Sequence, residues 1–218
     1  MEDNNKNVTN ETTYVVSVGR QFGCGGREIG RLIAQGLGID YYDKELLTEA
    51  AKKSGVNADF FEAKDERTPS FFSSLWSFNT GYNSGAYFIG DTPLSDDSIY
   101  QAQSDVMRSL ADRGPCVIVG RTADYILRNH CKVVSVFIHA SMEARVKRII
   151  GRGDCDNAKD AEAMAEKKNK LRSEYYNFYT DKKWGDAQSY NLSIDSSIFG
   201  DQETADIIID FIKRRIAK

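Results

Sequence analysis

A β-branched run, Tyr14-Val15-Val16-Ser17-Val18, stops at Gly19 and runs into Gly23-Cys24-Gly25-Gly26. Beyond it Ile29, Leu32, Ile33 and Leu37 recur at helical spacing, and Gly36 and Gly38 close the segment. Strand, glycine turn and helix in that order gather backbone N–H groups and the positive end of a helix around one point, which suits a phosphate. Glycines at 23, 25 and 26 let the backbone approach such an anion and take positive φ.

The rest of the chain repeats the alternation. A short strand Ile39–Tyr42 ends at Asp43, and Lys44 to Lys53 reads as a helix with Leu46, Leu47 and Ala50 on one face. Further on come a helix Ile99–Arg113, a strand Cys116–Val119, a helix Thr122–Arg128 and a strand Val133–His139. Residues from Ser141 to Thr180 are helical in pattern and dense in charge; a strand Tyr190–Ile194 follows, then Asp195-Ser196-Ser197 and an amphipathic helix Glu203–Ile216. Ile207, Ile208, Phe211 and Ile212 of that last helix are expected against the sheet. Strands separated by helices imply five parallel strands with right-handed crossovers, an α/β class. One stretch breaks the rhythm: Val56 to Tyr100 carries Phe60, Phe61, Phe71, Phe72, Trp76, Phe78, Tyr82, Tyr87 and Phe88 among small polar residues, too apolar for a linker.

At 218 residues and 41% hydrophobic content the chain builds one domain, 14–218, behind a polar tail at 1–13 expected to be disordered. Its net charge of −3, from 29 basic and 32 acidic residues, offers no general field for nucleic acid or an anionic membrane, so any anion is bound locally. No apolar run approaches the roughly 20 residues that span a bilayer, and the start fits no signal peptide. Cys24, Cys116, Cys131 and Cys155 lie far apart without a CxxC pair, the pattern of reduced thiols in a cytoplasmic protein. His130 and His139 have no spaced partners and do not read as metal ligands.

The usual phosphate-loop pattern is G-x-x-x-x-G-K-[ST], and Arg20-Gln21-Phe22-Gly23-Cys24-Gly25-Gly26-Arg27-Glu28 meets it without the lysine. With Gly25 on the second glycine, Gly26 takes the lysine position, Arg27 the Ser/Thr position, and Arg20 stands where the first glycine would be. The loop Gly23, Cys24, Gly25, Gly26, Arg27 and Glu28 is therefore the ATP and phosphate candidate. Arg27 can supply the lost charge as a bidentate fork, or be merely solvated; Glu28 can meet Mg²⁺, or serve the helix dipole.

Three stretches resemble one known family: Ser17 to Gly30, Tyr41-Tyr42-Asp43-Lys44-Glu45-Leu46, and Val119-Gly120-Arg121-Thr122-Ala123-Asp124-Tyr125-Ile126-Leu127. They look like the bacterial cytidylate kinase-like family, divergent relatives of cytidylate kinase, over nearly everything from Tyr14 onward. The resemblance implies a P-loop NTPase fold, a five-stranded parallel sheet flanked by helices, with an acceptor-binding excursion at 56–100 and a helical lid at 141–185. It also implies that Gly120-Arg121 contacts a nucleoside monophosphate. Thr122 stands where the family's motif has Asp, which leaves Asp124 as the nearest acid; Arg121 and Asp124 are the acceptor-binding candidates.

The resemblance places an acid at Asp43 near the acceptor and the magnesium, although Asp43 also suits a helix N-cap. Within the lid, Arg145, Arg148 and Arg152 share one helix face, and Arg145 and Arg148 are expected on the transferring phosphoryl group. Lys167-Lys168-Asn169-Lys170 reads as a solvated face, Arg172 and Lys182 as weaker candidates. Tyr175, Tyr176, Phe178 and Tyr179 read as an aromatic face on the core.

Together these point to a kinase using ATP and Mg²⁺. Its catalytic candidates are Arg27, Asp43, Arg145 and Arg148, its metal candidates are Glu28 and Asp43, and its partners are small-molecule nucleotides such as CMP. The homo-oligomeric state is left open. Two other readings stay beside it: a nucleotide- or anion-binding regulatory protein that lost catalysis with the lysine, and a kinase of another small metabolite.

Overall fold

The β-branched runs form β1 Tyr14–Arg20, β3 Cys116–Val119 and β4 Lys132–His139, and two shorter stretches form β2 Asp40–Tyr42 and β5 Leu192–Asp195. In the computed structural model, which describes residues 13–43, 46–47, 96–120 and 122–217, they form one sheet of order β2-β3-β1-β4-β5, parallel throughout. The helices are α1 Gly26–Leu37, α2 Asp96–Arg113, α3 Ala123–Ile126, α4 Met142–Gly151, α5 Ala158–Tyr179 and α6 Ser196–Ile216.

Alternation along each strand sends side chains to opposite faces, and both faces are covered. On one, Val16, Val18, Val117, Val119, Val134, Val136 and Ile138 pack against Ile29 and Ile33 of α1 and Ala205, Ile208 and Ile212 of α6. On the other, Val15, Cys116 and Ile118 meet Val106, Met107 and Leu110 of α2 and Ala123 and Ile126 of α3. Each of the valines, leucines, isoleucines and methionines among them contributes roughly 1.5–3 kcal/mol by leaving water. β1 lies at the centre, so the glycine turn that follows it emerges between the carboxyl ends of β3 and β4, where open parallel sheets bind ligands.

Several boundaries differ from the sequence expectation, each for a local reason. α3 begins at Ala123 because Thr122, its N-cap, adopts a left-handed conformation (φ 54, ψ 27), and it ends after one turn at Ile126, with Leu127 (φ −95, ψ 1) as its C-cap. The helical stretch after Ser141 splits at 152–157, where Gly153 has φ 74 and Asn157 caps α5 by accepting from Asp160 N. α6 starts at Ser196 and not at Glu203, because Asp195 Oδ1 accepts from Ser197 N as an N-cap; a break at Gly200 (φ 74, ψ 179) then separates the first turn from the rest. Ile209 joins Ile208 and Ile212 as a buried residue of α6, while Ile207 and Phe211 are only partly covered.

On α5, Tyr175 and Tyr176 are buried but Phe178 is 76% exposed, since one helix face cannot take all four aromatics inward. Of the expected helix Lys44–Lys53 only Leu46 and Leu47 are described, and they are helical. The rest of that segment, the tail at 1–12 and the excursion from 56 to 95 lie outside the described residues. Among the described residues no helix is long and apolar enough to cross a membrane.

Candidate functional site

Gly23 (φ 84) and Gly25 (φ 81) make the turn after β1, and Gly25 is the N-cap of α1. Ile29 N donates to Gly25 O as the first bond of the helix, so the N–H groups from Gly25 to Glu28 precede any intrahelical acceptor. The turn is held from several sides. Gln21 N donates to Ile138 O (3.0 Å), Phe22 N to Asn169 Oδ1 (2.7 Å), and the Cys24 thiol to Ile138 O (3.3 Å). Burial pushes the Cys24 thiol up, which keeps it a neutral packing group while its backbone serves the loop. Ser196 Oγ lies 2.7 Å from Cys24 O and 3.0 Å from His139 O and ties the start of α6 to the turn.

Gly26 was expected to share the positive φ of its neighbours, and it does not. What requires glycine there is space: a Cβ would fall 2.6 Å from Cβ of Arg20. Gly26→Lys, which restores the usual motif, is therefore expected to destabilise the protein by about 1–3 kcal/mol, a melting temperature several degrees lower. Thermal unfolding beside the parent checks this; an unchanged midpoint means that the turn yields at no cost.

Arg27 and Asp43 come together. Arg27 Nε lies 3.5 Å from Asp43 Oδ2 and Arg31 Nη2 3.7 Å from the same oxygen, which the Tyr41 hydroxyl also approaches at 3.3 Å. Asp43 is 2% exposed. Its Oδ1 accepts from Leu46 N at 3.2 Å and its carbonyl from Leu47 N, so it is an N-cap and an ion-pair partner at once. A carboxylate with two guanidiniums on one oxygen is a poor seat for a lone divalent cation. It suits better one that arrives with phosphates, because those offer the guanidiniums another anion; Glu28 stands in the first turn of α1.

The two arginines expected on one phosphate-facing stripe part company. Arg148 forks onto Asp201, Nη1 to Oδ2 and Nη2 to Oδ1, both 2.7 Å, and this pair lies against the turn: a Cβ on Gly25 would come 2.6 Å from Asp201 Oδ1 and 2.8 Å from Arg148 Nη1. The Asp201 bond raises the Arg148 guanidinium. Arg145 points inward at 6% exposure; its Nε donates to Ala140 O (3.2 Å), its Nη1 is buried with no hydrogen-bond partner among the described residues, and burial lowers it. Its own Cβ and carbonyl pack under Gly23.

Asp124 is buried with its Oδ2 accepting from Tyr176 OH (2.8 Å) and Lys182 Nζ (3.0 Å). Burial, with that carboxylate next, pushes the Tyr176 hydroxyl well up, so Tyr176 stays a donor. Tyr190 stacks on Tyr176 and reaches Gly19 at the end of β1, so this network borders the turn. Arg121 lies outside the described residues.

The basic run on α5 divides: Lys167 and Lys170 are exposed, as a solvated face requires, whereas Lys168 and Asn169 turn inward. Lys168 Nζ sits 4.2 Å from the Phe22 ring centroid, with Arg152 and Arg172 over the same ring at 5.2 and 5.5 Å, while Asn169 holds Phe22 N. Burial lowers Lys168. Asn169, Ser196 and Asp201 escaped the sequence reading because each reaches the turn from a distant segment, and a basic run alone carries no sign of which side faces inward.

The cytidylate kinase-like family model matches residues 15–198. The chain belongs to the cytidylate kinase-like family. Among solved structures, this family member is similar to an uncharacterized protein from Eubacterium ventriosum at 27% identity and TM-score 0.68, over 92% of this chain and 98% of that one. It shares its fold with a shikimate kinase from Acinetobacter baumannii in complex with shikimate (15% identity, TM-score 0.51, 95% and 96% covered). A gluconokinase from Sinorhizobium meliloti matches at 14% identity and TM-score 0.51, over 94% and 98%. No curated protein matches the chain significantly. The P-loop kinase fold expected from the sequence is thus the fold of this cytidylate kinase-like chain.

Proposed function

We propose that this protein is an ATP-dependent phosphotransferase acting on a small acceptor, a nucleoside monophosphate such as CMP first among them. The observation that carries this is the positive-φ glycine turn at the carboxyl end of the central strand, with the N-terminus of α1, the Arg27–Asp43 pair and Arg148 all against it. The chemistry asks little covalent work of a protein and much positioning and charge neutralisation.

Amides from Gly23 to Glu28 would hold the donor phosphates and Arg27 would turn its guanidinium to them. A magnesium ion held by Glu28 and Asp43 together with those phosphates would neutralise part of their charge. An acceptor oxygen oriented by Asp43 forms the new bond to the γ-phosphorus, the bond to the bridging oxygen breaks, and ADP leaves; a proton on the acceptor oxygen, where there is one, passes to Asp43. Arg121 would bind the acceptor phosphate and Asp124 would brace that side through Tyr176 and Lys182. Arg148, released from Asp201, would close on the transferred group, and Arg145 would support Gly23 from beneath.

A second reading, a nucleotide- or anion-binding regulatory protein, draws on one observation: Arg27 and Arg148 both rest on carboxylates while the motif lysine is absent. An ADP-release assay over nucleoside monophosphates and small alcohols, run beside a nucleotide-binding measurement, separates the two. ADP release that depends on an acceptor supports the kinase; ATP binding with no turnover on any acceptor gives the lead to the regulatory protein.

A further inference from the structure

Arg20, the last residue of β1, stands where the usual motif has its first glycine. Its side chain leaves the strand between two glycines on different elements. A Cβ on Gly26, the first residue of α1, would come 2.6 Å from Arg20 Cβ and 2.9 Å from its Cγ. A Cβ on Gly120, just after β3, would strike the guanidinium itself, with Cζ at 3.1 Å and Nη2 at 3.5 Å. The stem therefore lies on the start of α1 and the head on the exit of the neighbouring strand, where Gly120 keeps φ 87 and donates its N–H to Val18 O. Any side chain at 120 would occupy the place of that head.

The backbone that launches Arg20 is itself held by a cation. Arg172 Nη1 donates to Arg20 O at 3.0 Å. Burial and then the Arg20 charge hold the Arg172 guanidinium well below the ordinary arginine range, and Arg27 and Arg152 add to the effect, opposed only by the Cys24 thiol among the leading influences. Cations from β1, α1 and α5 thus converge at the carboxyl end of the central strand, a field that favours a polyanion over any single carboxylate.

We propose that Arg20 is a phosphate-binding residue of this site, with its guanidinium between the glycine turn and Gly120, and that it carries charge which the usual loop takes from its lysine. A role for Arg20 in phosphoryl transfer rests on the phosphotransferase reading; its contact with phosphate does not.

The probe is inorganic tripolyphosphate, titrated calorimetrically into the full chain at two salt concentrations, beside Arg20→Gln, Arg20→Lys and the ADP-release assay. Arg20→Gln is expected to bind at least about tenfold more weakly with a shallower salt dependence, and Arg20→Lys to recover part of the loss. A purely packing role would leave the salt dependence unchanged. Should Arg20→Gln fail to fold, Gly120→Ala displaces the guanidinium without removing its charge and is expected to weaken binding similarly. Parent-like affinity and salt dependence in Arg20→Gln, or in Gly120→Ala when it is needed, overturn the proposal, as does a parent that does not bind tripolyphosphate. Arg20-dependent binding in a parent that transfers no phosphoryl group upholds the role of Arg20 and removes the phosphotransferase reading.

Discussion

Asp43→Asn is expected to lower turnover by a factor on the order of 10² while ATP affinity stays nearly constant. The substitution separates the two jobs of this residue. An asparagine oxygen can still accept from Leu46 N, so the N-cap survives, whereas the charge beside Arg27 and Arg31 is lost. Since both arginines are partly exposed and sit 3.5 and 3.7 Å away, stability should fall by only about 1 kcal/mol. Steady-state kinetics and thermal unfolding of the same preparation decide the matter. Intact turnover with a large drop in midpoint leaves Asp43 as a cap and nothing more.

Arg27→Ala should reduce phosphoryl transfer further, about 10²- to 10³-fold, and nucleotide affinity less, because a charge-assisted contact counts most where charge moves in the transition state. The alanine also takes the nearest guanidinium from Asp43, so the carboxylate proposed to orient the acceptor would lose its alignment. Combining Arg27→Ala with Asp43→Asn should cost clearly less than the product of the single effects, since each removes one half of the same pair. Arg27→Lys should rescue in part, as an ammonium lacks the planar fork. Transfer by Arg27→Ala at the parent rate removes Arg27 from the chemistry and leaves the neutralising charge to Arg20 and Arg148.

How much of this could be read beforehand follows from which forces are local. Val16, Val18, Ile29 and Ile33 announce a buried strand and a helix because burial imposes its period on the residues themselves. The five parallel strands, the glycine turn and the nearness of Arg27 to Asp43 at the ends of adjacent α1 and β2 segments come from the same order of elements. What escaped depends on how α4, α5 and α6 lie over the turn. Neither the inward direction of Arg145, nor the fork of Arg148 on Asp201, nor Lys168 on the Phe22 ring has a signature in spacing. The requirement for Gly26 was misread as a matter of φ because the stem of Arg20, six residues earlier, is what fills the space.

If the turn takes a phosphate as proposed, the Arg148–Asp201 fork would make its binding an exchange of anions. A carboxylate of this chain already lies against the glycine turn, so a phosphate bound there would have to displace it before Arg148 became available. A monoanion gains little from such a swap, since it replaces one negative charge by another. A polyphosphate gains more, because its additional charges meet the rest of the arginine cluster that Asp201 alone cannot satisfy. On the proposed reading the site would therefore bind inorganic phosphate more weakly than a polyphosphate, with Asp201 as the built-in competitor for Arg148.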